Sequence, residues 1–349
     1  MSAQDQPSAT ETVAQAIETK SLSRVFNAYV SETVRYIPEM AGHFAILNVT
    51  AAQVHMDIDP QKAGFKNQEA LMDYMSQLQT TYAPHATSVA HFDGGLGDDG
   101  TRRNLAVLVY NGPLHMQMFA DTIRDPLKNI VGIMDHELGH ILVEGAYYYT
   151  NRHSPTEILY AEAAADTYAG IRHISRFGGT GDDIRQLSWQ RAKHMIEYGD
   201  DAHFTALSLD RLAELVDKHD ISAVSPYQAV DLSARIASET APHSSAIANA
   251  SRFLPQVKQN IVQTRGYEEA LKPLADKVLK GDMDYMASKI ADKYLSHFLM
   301  EEVQYNGKPV LLDGPYWDKV RIALCNNQTA QDSLGVLHGL PVKQKPPSI

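Results

Sequence analysis

Two histidines stand four residues apart in the stretch VGIMDHELGHILVEG, residues 131–145. The surrounding apolar residues recur at helical spacing, which predicts that the stretch forms one largely buried helix. Four residues advance about 400° around a helix, so His136 and His140 project from nearly the same angle, one turn apart. Because both imidazoles come from one rigid element, they can bind a single metal ion together. This pair constrains the fold, because another part of the chain has to bring a third ligand to the same face.

Sequence signals mark where the helix begins and ends, and a carboxylate lies between the two histidines. Asp125 can serve as its N-cap, Pro126 fits the first helical position, where no amide hydrogen is needed, and Gly145 suits its end. Glu137 lies about 100° around the helix from His136, where it can reach a metal-bound water rather than the metal itself. Each histidine taken alone is more often a core or surface residue, so the interpretation depends on a further ligand.

A second predicted helix supplies that ligand. The stretch SPTEILYAEAAADTYAGIRHISRFGG, residues 154–179, opens with a capping box formed by Ser154 and Glu157. It contains Glu162 and Asp166, four residues apart on one face. The three alanines between them are small enough for another helix to come close. The chain between the two motifs is long enough to turn back, so we expect the second helix to run antiparallel to the first and to face the histidines.

The string HELGH followed by EAAAD resembles the gluzincin branch of the zincin metallopeptidases, the group that includes thermolysin. The resemblance is confined to residues 125–170, and the reaction it implies is hydrolysis of a peptide bond by a zinc-activated water. HELGHILVEG with AEAAADTYAG also looks like the small metallopeptidases that cleave phage repressors and regulate stress responses. The residues after the second helix depart from the pattern of those enzymes, so the family within the clan stays open.

The gluzincin resemblance implies a role for each residue of the two motifs. His136, His140 and Glu162 are the implied ligands of Zn²⁺, Glu137 is the implied general base, and Asp166 is the implied partner that orients His136. The resemblance also implies a histidine or tyrosine beyond the ligand helix that stabilises the oxyanion. The candidates for that role are Tyr147, Tyr148, Tyr149, His153, His194, His203, Tyr227 and His243.

The rest of the chain is predicted to be strand-rich before these helices and helical after them. Runs rich in β-branched and aromatic residues predict strands at 43–49, 52–58, 86–92 and 104–110. The run at 104–110 fits either an edge strand that pairs with a bound peptide or a buried central strand. Apolar stripes at helical spacing predict helices at 67–82, 209–219, 227–240, 267–280 and 283–303.

These patterns predict an α+β fold: a zincin-like core with a mixed sheet and an active-site helix, followed by a mostly helical C-terminal region. Residues 1–20 are polar and are expected to form a flexible tail. The catalytic core is expected to span 21–180, and the helical region packed on it is expected to span 181–349. A chain of 349 residues is long enough for one elaborate domain or two closely packed ones.

Composition excludes several classes of partner and site. The formal net charge of -11 repels polyphosphate, so we expect no nucleic-acid partner. A single cysteine, Cys325, excludes an internal disulfide and any cysteine-based zinc or iron–sulfur site, so a metal must use histidine and carboxylate. We see no signal peptide and no transmembrane run, so we expect no membrane partner and a cytoplasmic protein. Export by another route, or a missing leader, would leave the same sequence.

Two functional hypotheses from different classes remain. The first is a zinc-dependent peptidase that acts on a peptide or protein substrate, with Glu137 as general base. The alternative is a noncatalytic binding or regulatory protein on a metallopeptidase fold, in which the metal is structural or absent. The complete set of three ligands, base and orienting aspartate favours catalysis, because a decaying site would be expected to lose at least one member. The sequence specifies neither a cleavage preference nor an oligomeric state.

Overall fold

A computed structural model describes residues 11–85, 88–97, 100–112, 118–119, 122, 124–144, 154–263, 266–300, 304–305 and 308–329. Within these residues the chain has an α+β fold, in which helices surround a small mixed sheet of four strands. The helices are α1 (Val13–Glu18), α2 (Leu22–Tyr36), α3 (Gln68–Tyr82), α4 (Pro126–Glu144), α5 (Pro155–Phe177), α6 (Gly181–Tyr198), α7 (Ala206–Lys218), α8 (Pro226–Thr240), α9 (Ser244–Gln263), α10 (Tyr267–Lys280), α11 (Tyr285–Met300) and α12 (Pro315–Thr329). The strands are β1 (His43–Asn48), β2 (Gln53–Ile58), β3 (Val89–Asp93), β4 (Leu105–Tyr110), β5 (Gln304–Tyr305) and β6 (Lys308–Pro309).

The four-stranded sheet has the order β2-β1-β4-β3. β1 pairs antiparallel with β2 and parallel with β4, while β3 pairs antiparallel with β4. The run at 104–110 therefore forms the buried central strand β4, and β3 is the edge strand on the side of α4. Of the two interpretations of that run, the central strand is the one confirmed.

Both faces of the sheet are covered, because apolar residues of the central strands alternate between two cores. Phe44 and Leu108 belong to the core that contains α2, α4 and α5, whereas Ala45 and Val107 face the core that contains α3. This period of two is the expected consequence of strand geometry, in which successive side chains point to opposite faces. The sheet is thus a buried layer, and its α4 face positions the candidate site.

The helices that carry the two motifs begin where the sequence predicts. Asp125 accepts a hydrogen bond from the backbone amide of Leu127 at the start of α4. At the start of α5, Ser154 and Glu157 form the predicted capping box, each side chain accepting a bond from the other residue's amide. Gly178 ends α5 with a φ of 75°, in the region that favours glycine.

Two parts of the N-terminal prediction are wrong. The predicted flexible tail of residues 1–20 contains α1, whose Val13, Ala16 and Ile17 are fully buried in the core of α2 and α4. Between residues 21 and 124 the sequence predicted one helix, 67–82, and α2 was missed. The β-branched and aromatic residues of α2 favour strands locally, but they fall at helical spacing and are buried together on one face, as in an amphipathic helix.

The remaining helices extend the core that contains α4 and α5. Ile184 and Leu187 of α6 and Leu212 of α7 belong to that same core, so the predicted boundary at residue 180 lies within it. A second apolar core is built mainly from α9 to α12 around the buried Trp317. In the described part of the chain, no helix is both long enough and apolar enough to cross a membrane.

Candidate metal centre

A glycine inside the first motif allows α4 and α5 to approach closely. A Cβ atom placed on Gly139 would lie 2.9 Å from the Cα of Ala165, which is closer than real side chains come. Ala163 and Ala164 are also fully buried, so no large side chain separates the middle of α5 from its neighbours. This close crossing carries the predicted residues of both helices to one place.

Three predicted ligands converge through their Lewis-basic atoms. The Nε2 atoms of His136 and His140 are 3.2 Å apart. Oε2 of Glu162 lies 3.3 Å from Nε2 of His136 and 3.6 Å from Nε2 of His140. All three side chains are buried, and together they form a group that can hold a metal ion. The three atoms thus make a nearly equilateral triangle.

The size of this triangle fits a small tetrahedral cation. Ligand atoms about 2.0–2.1 Å from such an ion are separated from one another by roughly 3.3 Å, which is close to the three distances observed. A hard cation such as Ca²⁺ takes about six to eight oxygen ligands at longer distances, so two imidazoles and one carboxylate do not suit it. The donor atoms and their spacing both favour a transition-metal ion.

Asp166 bonds the ring of His136 on the side away from the triangle. Its Oδ1 lies 2.8 Å from Nδ1 of His136, which directs the opposite nitrogen toward Glu162. The carboxylate also accepts two hydrogen bonds from Arg191, at 2.6 and 2.5 Å, and one from the hydroxyl of Thr205 at 2.5 Å. Asp166 and Thr205 are almost completely buried. The carboxylate is therefore fixed by groups from three helical segments.

The protonation states of the group follow from burial and from these contacts. Burial lowers the pKa of His140 to about 4, so its ring is neutral at pH 7 and offers a lone pair. Burial alone would raise the pKa of Glu162, but His140 and His136 outweigh it and lower that pKa to about 2. Burial lowers the pKa of His136, yet its hydrogen bonds to Asp166 and Glu162 prevail and raise it to about 10. A cation bound at Nε2 of His136 would displace a proton.

Asp166 and Arg191 are held in their charged forms. Burial alone raises the pKa of Asp166, but Arg191 and His136 outweigh it and hold that pKa well below its usual range. For Arg191, burial lowers the pKa, and Asp166 raises it by more. The pair is therefore a buried carboxylate and guanidinium that stabilise each other's charge.

Glu137, the predicted base, lies beside the triangle and not in it. Its Oε2 accepts a hydrogen bond of 2.8 Å from the backbone amide of Ala90 on the edge strand β3. Burial raises the pKa of Glu137 to about 7, although the nearby His136 opposes the shift. A carboxylate of this kind can take up and release a proton near neutral pH.

One of the predicted oxyanion candidates lies at the centre. Nε2 of His203 is 3.6 Å from Oε2 of Glu162, and its Nδ1 is 2.8 Å from Oδ1 of Asp200. The hydrogen bond to Asp200 raises the pKa of His203, even though burial opposes the shift. With 39% of its side chain exposed, His203 is accessible from solvent.

Of the other candidates, one lies near the centre and the rest are away from it or undescribed. His194 is close enough to Arg191 and Asp200 for their charges to affect its pKa, which burial lowers overall, but its ring packs edge-on against Tyr198. Two candidates lie away from the centre: the hydroxyl of Tyr227 donates to Glu39, and His243 bonds the hydroxyl of Ser245. Four candidates lie outside the described residues: Tyr147, Tyr148, Tyr149 and His153.

Sequence reasoning missed two residues of this centre, Arg191 and Thr205. Arg191 lies on the buried side of α6, in helical phase with Ile184 and Leu187, so a charged residue interrupts an apolar stripe. That interruption was a readable signal, since arginine is seldom fully buried without a partner. Thr205, in a short loop before α7, gave no comparable signal.

No protein-family model, no curated protein and no solved structure matches this chain. The function must therefore be inferred from the side chains and distances described above.

Proposed function

We propose that this protein is a zinc-dependent peptidase of the gluzincin type. The observation that carries the proposal is the triangle formed by Nε2 of His136, Nε2 of His140 and Oε2 of Glu162, with edges of 3.2 to 3.6 Å. Three protein ligands are typical of catalytic zinc sites, which keep the fourth position for water or substrate. Imidazole and carboxylate ligands together also suit zinc better than the harder divalent cations.

Glu137 serves as the general base in this proposal. His136, His140 and Glu162 would hold the zinc ion, which would supply an activated water with a pKa near about 7 and a Lewis acid for the scissile carbonyl. Glu137 takes the proton of the attacking water and delivers it to the leaving amine, which breaks the peptide bond. Burial raises the pKa of Glu137 to about 7, and a cation in the triangle would lower it, which favours the carboxylate form that accepts a proton.

His203 stabilises the negative charge that develops on the carbonyl oxygen. Nδ1 of His203 donates to Asp200, and this bond raises the pKa of His203, which favours the protonated ring, in which Nε2 also carries a hydrogen and can donate it toward the reacting group. Nε2 is already 3.6 Å from the ligand carboxylate, and part of the ring is open to solvent. A positioned donor of this kind contributes roughly 10²–10³ in rate in other acyl-transfer enzymes.

The substrate is an extended peptide in this proposal. β3 is the edge strand nearest to α4, and an extended peptide can add to such an edge through backbone hydrogen bonds. The amide of Ala90 on this strand already bonds Glu137, so the base and the edge are physically linked. A peptide paired with β3 would therefore run beside the base.

Metal analysis and one isosteric substitution test the proposal. The purified protein should contain one zinc per chain, and His136→Ala should lose it. Glu137→Gln should keep the fold and the zinc but lower hydrolysis of a peptide library by at least about 10²-fold, the usual contribution of general-base catalysis. Equal hydrolysis by Glu137→Gln would remove Glu137 from the mechanism. Failure of the zinc-loaded wild type to cleave any library peptide would favour the noncatalytic alternative.

A further inference from the structure

The edge strand β3 carries different side chains on its two faces. Ala90 and Phe92 pack against the apolar core that contains α4 and α5. His91, between them, points to the opposite face, where it meets α3. In the four-stranded sheet, β3 pairs only with β4. Because one edge of β3 has no strand partner in this sheet, the side-chain contacts of β3 contribute more to its position than those of a central strand.

Both ring nitrogens of His91 are bonded by tyrosine hydroxyls of α3. Nε2 lies 2.8 Å from the hydroxyl oxygen of Tyr74, and Nδ1 lies 3.1 Å from that of Tyr82. Burial lowers the pKa of His91, although Asp93 opposes the shift, so the ring is neutral at pH 7 and has one donor and one acceptor. A hydroxyl can take either role, so both nitrogens are satisfied. We term Tyr74, Tyr82 and His91 the tyrosine–histidine clamp.

The two tyrosines of the clamp have further contacts with the sheet. The backbone carbonyl of Tyr82 accepts a hydrogen bond of 2.7 Å from the side-chain amide of Asn111, directly after β4. The ring of Tyr74 lies 4.7 Å from the guanidinium carbon of Arg103, and Arg103 pairs with Asp93 of β3 at 3.1 Å. These contacts fix α3 relative to β3 and β4, so the clamp has an ordered support.

On its other face, β3 bonds the carboxylate of Glu137. The amide of Ala90, the residue before His91, donates to Oε2 of Glu137 at 2.8 Å. Adjacent residues of a strand share a planar peptide unit, so a displacement of His91 also displaces the backbone of Ala90. Misplacement of a reacting group by about 1 Å can cost about 10²-fold in rate. The contacts of His91 with α3 therefore bear on the position of the proposed base.

We propose that Tyr74, Tyr82 and His91 are positioning residues for Glu137. The clamp fixes β3 against α3, and β3 fixes the carboxylate through the amide of Ala90. The clamp is on the α3 side of the sheet and Glu137 is on the α4 side, so the clamp acts through the strand. The inference rests on the proposed peptidase function, because it assigns the clamp a part in orienting the base of that reaction.

Removal of the two hydroxyls tests the clamp. The double variant Tyr74→Phe/Tyr82→Phe keeps both rings and removes the groups that bond His91. Tyr316→Phe is the matched control, because it removes a half-buried hydroxyl that bonds Asp276, away from the sheet. With the zinc-loaded full chain, the double variant should lower kcat at least about tenfold, and Tyr316→Phe should change it less than about twofold. An unchanged kcat in the double variant contradicts the inference and leaves the peptidase proposal intact.

The same substitutions in a Glu137→Gln background separate positioning of the base from general loosening of the fold. If the clamp acts through Glu137, its removal should change the residual rate of Glu137→Gln by less than about twofold, because the group that it orients is already lost. An equal fall in both backgrounds would mean that the two tyrosines only support the fold, and the inference would be overturned.

Amide hydrogen exchange tests the clamp without any measurement of activity. The Ala90 amide bonds Glu137, so its exchange rate reports that contact directly. In the double variant this amide should exchange at least about tenfold faster, while Ile46 in the central strand β1 should exchange as in wild type. Tyr316→Phe should change neither rate.

The exchange measurement also distinguishes failure of the clamp from failure of the enzyme. Unchanged exchange of the Ala90 amide in the double variant overturns the inference, whether or not the protein hydrolyses peptides. Absence of all hydrolysis by the zinc-loaded wild type overturns the peptidase proposal. The clamp is then retained as the support of the Glu137 carboxylate if Ala90 exchanges faster in the double variant, and rejected if it does not.

Discussion

Two buried groups of charged residues include side chains of both α4 and α5, and the charges of the two groups are balanced in different ways. The first is the candidate metal centre. The second, which we term the charge-paired cluster, consists of Glu32, Asp135, Arg172 and Arg176, with the Tyr29 hydroxyl bonded to it. The two groups are adjacent in the chain as well as in space, because Asp135 directly precedes the first histidine ligand.

The charge-paired cluster is neutralised by fixed charges. Arg176 contacts Asp135 at 2.6 Å and Glu32 at 3.0 Å, and Arg172 contacts Glu32 at 2.7 Å. Two guanidinium groups therefore face two carboxylates, and no side chain of the four is more than 11% exposed. Removing a partner from a buried pair is costly, so this cluster ties α2 to α4 and α5.

In the candidate metal centre, part of the carboxylate charge is balanced by a proton, which can dissociate. Among the described residues, Arg191 is the one guanidinium that contacts its carboxylates, and it pairs with Asp166. Burial lowers the pKa of His136, but Asp166 and Glu162 outweigh it and raise that pKa to about 10, so a proton on His136 balances the charge of Glu162. A proton on a nitrogen that points at two other Lewis bases is a place that a metal cation can take. The comparison therefore separates a group whose charges are all fixed from one whose charge balance includes an exchangeable proton.

The largest effect that we expect from this difference between the two groups is on the free energy of unfolding. Arg176→Met leaves Asp135 and Glu32 buried with only part of their compensation, and breaking a buried pair typically costs about 3–5 kcal/mol. We expect the free energy of unfolding, measured in urea with a chelator present, to fall by that amount. Zinc affinity of the folded variant, measured by chelator competition, should stay near the wild-type value. A large loss of zinc affinity with unchanged stability would show that the charge-paired cluster contributes to zinc binding, so the two groups would not be separate.

A milder change in the same cluster should show a pH signature. Burial alone would raise the pKa of Glu32, but Arg176 and Arg172 outweigh it, so the folded-state pKa is lowered from 4.5. A lowered pKa means that ionised Glu32 stabilises the fold above about pH 4.5, and that this contribution is lost as pH falls through the lowered value.

Glu32→Gln should therefore be less stable than wild type at pH 7 by about 1.5–3 kcal/mol, the usual value for hydrogen bonds to charged groups. The difference between the two unfolding free energies should shrink as the pH is lowered below about 4.5. A difference that is constant from pH 7 to about pH 3 would show that the charge of Glu32 does not matter.

The sequence predicts much of the candidate site because its information is local. The i, i+4 spacing of His136 and His140 and of Glu162 and Asp166 fixes one face on each helix, and the capping residues fix where those helices begin. Small residues between the motif positions also predict a close helix crossing, and Gly139 makes the contact. Four strands and the helix at 67–82 appear within a few residues of their predicted bounds.

What the sequence did not predict depends on contacts between distant segments. α2 contains residues that favour strands, and their helical spacing competes with that local preference; its packing against the sheet and α1 agrees with the helix. Arg191 and Thr205 approach Asp166 from segments 25 and 39 residues away, a distance over which spacing carries no phase information. His203 was one of eight equal candidates until the fold placed it beside Glu162.

Within the metal centre, Asp166→Ala should weaken zinc binding without abolishing it. Loss of a partner that orients a ligand histidine typically costs about 10- to 100-fold in metal affinity or activity. Glu157→Ala, at the cap of the same helix, removes the capping box instead and should lower stability by about 0.5–2 kcal/mol with zinc affinity nearly unchanged. Because Asp166→Ala also removes the carboxylate that pairs with buried Arg191, its stability should fall too, so a chelator titration of the folded protein is combined with urea unfolding for both variants. Equal zinc affinity and equal activity in Asp166→Ala would make the aspartate a structural residue and weaken the gluzincin proposal.

The smallest expected effect concerns the hydroxyl that supports Asp166. Thr205→Val keeps the shape of a side chain that is 1% exposed but removes the 2.5 Å hydrogen bond to Oδ2. Because Arg191 still holds the same carboxylate, we expect a loss of only about 1 kcal/mol in zinc binding free energy, a severalfold weaker affinity by chelator competition. Thr240→Val is the matched control, since its hydroxyl bonds the Ile236 carbonyl and Ser208, away from the centre. If both variants lower zinc affinity equally, the effect comes from general loosening of the fold and Thr205 has no particular role in orienting Asp166.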